Sequence, residues 1–218
     1  MDTQLFRDIK DKLDHNYTIV GKERKYRNAS VLIPLVKIRE DIHILFQVRA
    51  DHIRQGGEIG FPGGMIEDVD QGDYEKTAIR ETIEELGLEE RQIDVLGYLG
   101  AYVAHSDVTI DVYVGFLDME DLSLLELSEE VAEIFTVPLK ALQAMPEEVH
   151  YINMRIQQTF VDEEGDEISL IDAASLGLPE RYHRPFYDRR RKVYFYRYEG
   201  YTIWGMTGEM LYEFLALL

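Results

Sequence analysis

The sequence predicts an α/β domain. Three observations carry that expectation: a length of 218 residues, runs rich in β-branched residues alternating with stretches of helical periodicity, and glycine-rich turns between them. A chain of this size can bury one sizeable core. One domain is therefore expected over residues 29–218, with an N-terminal helix and basic connection over residues 1–28.

Met1 to Asn16 places Leu5, Ile9 and Leu13 four apart among charges, which predicts an amphipathic helix and not the apolar centre of a signal peptide. After the basic stretch Lys22 to Arg27, the runs Ala29–Ile38 and Ile42–Val48 predict two strands joined at Arg39-Glu40-Asp41. Residues Gln55 to Gly64 hold five glycines and a proline, the composition of a loop with unusual backbone freedom. From Asp73 to Leu86 the pattern is helical, with Asp73 placed as N-cap and Gly87 as C-cap. Strands follow around Ile93–Tyr102 and Val108–Leu117, then an acidic stretch from Asp118 to Glu133 in which Ser128 is placed to cap a short helix. Tyr151–Val161 and Glu167–Ile171 flank the turn-like Asp162–Asp166 and predict a hairpin. Val193–Tyr198 and Tyr201–Trp204 predict another strand pair. Thr207 opens a last helix with Met210, Leu211, Phe214, Leu215 and Leu218 on one stripe.

Composition removes several classes of function. The net charge of -19 argues against nucleic-acid binding, because a phosphate backbone calls for a basic face. No apolar run approaches the roughly 20 residues that cross a bilayer, so no membrane association is expected. The absence of cysteine excludes thiolate zinc sites and cysteine nucleophiles, and a cytoplasmic location fits. An anionic substrate would need divalent cations held by clustered carboxylates, or a few arginines focused on one pocket.

Both are offered. Glu81 and Glu85 lie four apart on the helix that begins near Asp73, and Glu84 lies three from Glu81, so the three carboxylates share one side. Like charges so placed repel unless cations sit between them, and hard oxygen ligands suit magnesium or manganese. Arg80, four residues before Glu84, is placed to pair with it. The bland alternative is a solvated face in an acidic protein. Against it stands the glycine loop, which ends in Gly63-Gly64 shortly before the helix and can bring a backbone carbonyl to the same site.

Phe61-Pro62-Gly63-Gly64, followed by Arg80-Glu81-Thr82-Ile83-Glu84-Glu85-Leu86-Gly87-Leu88, resembles the signature of the Nudix hydrolases. In that pattern Gly is followed after five residues by Glu, and after seven more by Arg-Glu, an aliphatic residue, any residue, Glu-Glu, any residue, Gly and an aliphatic. Here the sixth position after Gly64 is Asp70, nine residues separate it from Arg80, and Thr82 stands at the first aliphatic place. Upstream, Arg49-Ala50, Arg54, Gly57 and Phe61–Gly64 resemble the additional motif of the coenzyme A pyrophosphatase branch, with a shorter gap between Arg54 and Gly57 than one common form has. Glu130-Val131, Phe135, Val137-Pro138-Leu139 and Ile203–Thr207 also resemble that branch, and the likeness covers roughly residues 29 to 218.

The resemblance implies an α/β/α sandwich around a mixed sheet. It implies Glu81, Glu84 and Glu85 as ligands for Mg2+ or Mn2+, with Gly64 offering a carbonyl, and hydrolysis of a diphosphate linkage. For a coenzyme A-like small molecule the products would be 4'-phosphopantetheine and adenosine 3',5'-bisphosphate. Cleavage of ADP-ribose or another nucleoside diphosphate derivative is the alternative, and a non-catalytic nucleotide-binding module of the same fold a second; a homodimer is left open.

Other residues divide between function and surface. Arg49 and Arg54 can grip phosphates in a fork or pair with surface carboxylates. Arg189-Arg190-Arg191-Lys192 can meet a 3'-phosphate or form a solvated run, and Glu129, Glu130 and Glu133 are candidates for a general base. His105, Ser106 and Asp107 imitate a hydrolytic triad only in sequence, since neighbours on a strand face opposite ways. Trp204 reads most simply as core, with stacking on a base as the other reading.

Overall fold

The computed structural model describes residues 3–13, 19, 21–104, 107–119 and 121–218; His105 and Ser106 lie outside the described residues. Two compact units are present, residues 1–147 with 195–218, and residues 148–194.

In the first unit, α1 (Thr3–Leu13) and the short α2 (Lys22–Lys25) lead into β1 (Arg27–Ile38) and β2 (Asp41–Arg49). These strands form the expected antiparallel pair, turning at Arg39, whose φ of 56° suits the tight connection between Ile38 and Asp41. The glycine loop is more regular than its composition predicts. Two short strands, β3 (Ile59–Gly60) and β4 (Gly63–Met65), pair with β2 and β1. Helix α3 (Tyr74–Leu86) is followed by β5 (Ile93–Val103) and β6 (Val108–Leu117).

The helix expected around Ser128 is absent. The Ser128 hydroxyl accepts from the Glu130 N–H at 3.3 Å and closes a turn into β7 (Val131–Pro138), which runs antiparallel to β2. Helix α4 (Leu139–Ala144) completes this stretch.

The sheet is mixed. Its order is β3-β2-β1-β6-β5, with β1 and β6 parallel, β4 on β1 and β7 on β2. Alternation along each strand separates two cores. Leu32 and Val36 of β1, with Leu45 and Leu117, pack against Ala78 and Leu86 of α3. The intervening Ile33 and Leu35, with Ile44, Phe46 and Val114, pack against Phe6 and Ile9 of α1, Leu142 of α4 and residues of the last helix. Helices on both faces make an α/β/α sandwich.

In the second unit, β8 (Glu148–Ile156) is separate from β9 (Thr159–Val161), so the single long arm expected over 151–161 is broken. The hairpin itself forms: β9 pairs with β10 (Glu167–Ser169) about Asp162–Asp166. Strand β8 pairs with β11 (Phe186–Tyr198), which starts seven residues before the expected Val193. The end of β11, back in the first unit, pairs with β12 (Tyr201–Ile203), and α5 (Gly205–Leu215) begins two residues before Thr207 and buries Met210, Leu211 and Phe214. Among the described residues no helix is long and apolar enough to cross a membrane.

Candidate functional site

Helix α3 is fixed at both ends. The Asp73 carboxylate accepts from the N–H groups of Glu75 and Lys76, and Gly87, at φ 68°, closes the C-terminus with its N–H on the Ile83 carbonyl. Residues 80–85 therefore occupy its last turns, beside β4.

Arg80 is the hub. Its Nε donates to Asp70 Oδ1 at 2.9 Å and its Nη2 to Asp70 Oδ2 at 3.1 Å, a two-pronged grip on a carboxylate that is 2% exposed. Nη1 lies 2.9 Å from Glu81 Oε1 and donates to Glu84 Oε2 at 3.2 Å, and Nη2 also donates to the Met65 carbonyl. The expected Arg80–Glu84 pair is present, and Asp70 is the partner that sequence reasoning did not assign. The five-residue step from Gly64 to Asp70 was its signal. The guanidinium holds the Asp70 carboxyl down to about 2.

Glu85 is buried, and burial pushes its carboxyl up to about 7, against the opposing effects of the Gln47 amide and the Gly63 N–H, which donates to Oε2 at 2.9 Å. Gln47 was not foreseen as part of this site, although it interrupts the apolar run of β2; it is 1% exposed and its Oε1 has no hydrogen-bond partner among the described residues. Glu81 is also raised by burial, with Arg80 acting the other way. Glu84 faces solvent, its side chain 57% exposed.

The two glycines of β4 are fitted to this cluster. A Cβ on Gly63 would lie 2.3 Å from the Ser30 carbonyl oxygen, and one on Gly64 would lie 2.4 Å from the Glu81 carboxylate. Gly64 thus leaves a cradle that any side chain would fill.

Arg49, at the end of β2, is close enough to Glu85 to favour its charged form, and its Nε donates to the Arg54 carbonyl at 3.2 Å. Arg54 is exposed on the following loop. The Glu130 carbonyl accepts from the Ala50 N–H, Glu133 stands opposite Val48 on β7 and bonds Tyr201, and Glu129 is exposed. Arg189–Lys192 lies on β11 within the second unit. Trp204 departs from the core expectation, being 49% exposed.

As arranged, no three acidic or histidine side chains among the described residues converge on one point that could hold a metal. Glu81 and Glu84 are both engaged by Arg80, and Glu85 by Gly63. The donor set nevertheless fits a hard divalent cation: carboxylate oxygens, one of them beside a glycine whose missing side chain leaves room against Glu81, and a buried acid whose charge burial disfavours. Arg80 keeps its bidentate hold on Asp70 if Glu81 and Glu84 exchange its Nη1 for such an ion.

The family model for the Nudix domain matches residues 26–156. A peroxisomal coenzyme A diphosphatase of Mus musculus is 40% identical over 111 residues, which cover 50% of this chain and 46% of that protein. A mitochondrial coenzyme A diphosphatase of Homo sapiens is 37% identical over 118 residues, 53% of this chain and 50% of that protein. The matches span about half the length of these two curated relatives. Among solved structures, a C. elegans Ap4A hydrolase binary complex is 20% identical, covering 51% of this chain and 80% of that one with a TM-score of 0.44.

Proposed function

The chain belongs to the Nudix family, and from that premise we propose that it is a pyrophosphohydrolase cleaving the diphosphate linkage of coenzyme A or its derivatives, with 4'-phosphopantetheine and adenosine 3',5'-bisphosphate as products. The observation that carries the reading is the meeting of Glu81 and Glu85 with the side-chain-free Gly63-Gly64 strand, beside a third carboxylate, Glu84. That two relatives are named as coenzyme A diphosphatases supports the choice of substrate.

In this reading Glu81, Glu84 and Glu85, with the Gly64 carbonyl, hold Mg2+ or Mn2+. A divalent cation at these ligands would withdraw charge from the diphosphate and make attack by water at phosphorus feasible near neutral pH. The chain's own residues do the rest. Arg80, anchored on Asp70, holds the ends of Glu81 and Glu84 together until they exchange its Nη1 for the ion. The Gly63 N–H orients the Glu85 carboxylate. Arg49 and Arg54 are placed at the end of β2 and on its loop, where guanidinium forks can take phosphate oxygens. Water adds to one phosphorus, the P–O–P bridge breaks, and the bridging oxygen leaves with the other phosphate.

The test is hydrolysis of coenzyme A, ADP-ribose and NADH by the full chain with Mg2+ or Mn2+, products being resolved by chromatography. Selective release of 4'-phosphopantetheine and adenosine 3',5'-bisphosphate is expected. Preference for ADP-ribose or NADH would overturn the substrate, and inactivity on all three with either metal would overturn the enzymatic reading.

A further inference from the structure

Trp204 is the only tryptophan of the chain, and its indole is 49% exposed. Among the described residues of the first unit it is the one aromatic ring in the set of exposed large hydrophobics, the others being Met65, Val69, Val103 and Leu124. Leaving half of such a ring in water forgoes part of the burial that stabilises a fold, so its exposure calls for a reason.

The ring is also held in place. Phe195, at the end of β11, stacks on it with centroids 5.7 Å apart and planes 14° from parallel. The Arg197 guanidinium, two residues along the same strand, stands 5.9 Å from the centre of Phe195, and its Nη1 donates to Thr202 at 3.3 Å. Three residues after Trp204, the Thr207 hydroxyl donates to the Ile59 carbonyl at 2.9 Å. Ile59 belongs to β3 and stands opposite Val48, the neighbour of Arg49. One hydrogen bond and one strand pairing thus tie the start of α5, which directly follows Trp204, to the backbone that carries Arg49 and, four residues beyond Ile59, Gly63.

We propose that Trp204, backed by Phe195 with Arg197 at its side, is a stacking platform for the adenine ring of the substrate, and this rests on the nucleotide-diphosphate reading above. The chemistry suits a purine better than the pantetheine arm. A pre-stacked indole presents a flat π surface that every base can cover. The Arg197 guanidinium, over Phe195, helps to hold the backing ring in place. The pantetheine arm is a flexible chain of amides with no planar ring, and an aromatic platform gives it no stacking partner.

Because the tryptophan is single, its emission reports on this site alone. Titrating the full-length protein with adenosine 3',5'-bisphosphate in the absence of metal is expected to shift or quench the emission in a saturable way, whereas 4'-phosphopantetheine leaves it unchanged. Trp204→Ala is expected to raise KM for coenzyme A roughly tenfold at an unchanged kcat, with Trp204→Phe recovering most of the loss. An emission unmoved by adenosine 3',5'-bisphosphate, together with hydrolysis of coenzyme A by the parent, would sink the platform and leave the proposed reaction standing. A saturable response in a parent that fails to cleave coenzyme A would keep the platform and remove that substrate. A response to 4'-phosphopantetheine instead would overturn the assignment to adenine.

Discussion

Asp70 is one methylene shorter than the glutamate that the family pattern carries there, and it lies in a 3-10 turn (Asp68–Asp70) whose buried carboxylate grips Arg80 with both oxygens. Its folded-state carboxyl at about 2 is below the usual value of 3.8, so the bond stabilises the fold by about 2 kcal/mol near neutrality. That contribution is complete above about pH 4 and disappears as pH falls through 2, where the folded protein also takes up the proton. Asp70→Asn is therefore expected to lower the unfolding free energy by about 2 kcal/mol at pH 7 in urea titrations, a difference that shrinks as the buffer approaches pH 2. Glu85 behaves oppositely: with a carboxyl pushed up to about 7, the metal-free fold loses stability as pH rises from about 4.5 to 7, the window in which the unfolded chain has already released its proton. Glu85→Gln should stabilise the chelator-treated protein at pH 8 by about 3 kcal/mol in thermal melts while removing hydrolysis. Its amide oxygen can still accept from Gly63, and its NH2 can donate to Gln47 Oε1, which has no partner among the described residues, once the Gln47 amide turns over. A loss of stability at pH 8 would show that the charge of Glu85 is compensated without metal. At this scale the three glutamates and Arg80 were legible in the sequence, because helical spacing fixes who neighbours whom. Gln47 was not, since its place beside Glu85 depends on β2 pairing with β1, the strand against which α3 packs, which no local pattern encodes.

Elements divide along the same line. Caps and turns announced themselves: Asp73 and Gly87 bound α3 as their chemistry predicts, and Arg39-Glu40-Asp41 turns β1 into β2. Strands without a side-chain pattern did not. Gly63-Gly64 reads as loop because glycine has no face to bury, yet β4 forms because its backbone can approach β1 where a Cβ could not. The structure thus assigns different duties to two adjacent glycines. Gly63→Ala forces a Cβ to 2.3 Å from a backbone oxygen that cannot move without breaking the β1·β4 pairing, and should cost several kcal/mol of stability in urea unfolding. Gly64→Ala meets the end of the Glu81 side chain, which can swing aside, so it should fold with a loss under about 1.5 kcal/mol while hydrolysis falls by roughly 100-fold or more. If Gly64→Ala proved the less stable and the more active of the two, the cradle beside Glu81 would have no bearing on the reaction.

For the whole molecule the governing fact is a net charge of -19 in a protein whose proposed substrate is itself a polyanion. At low ionic strength that charge repels the substrate over distances set by a Debye length of about 30 Å at 0.01 M, which shortens to about 10 Å at 0.1 M. In the proposed reading the opposing field is local and comes from Arg49 at the end of β2 and Arg54 on the loop beyond it. Short-range attraction survives screening better than long-range repulsion. With divalent metal held constant and saturating, raising NaCl between those two ionic strengths should therefore increase kcat/KM for coenzyme A about threefold while leaving kcat within error, since screening acts on encounter and not on the chemical step. In Arg49→Ala the same salt series should start from a lower kcat/KM and rise with a similar slope, because the repulsion being screened belongs to the whole surface. A fall of kcat/KM with salt in the parent, abolished in Arg49→Ala, would reverse the ranking of the two fields and make the arginine the group that governs approach.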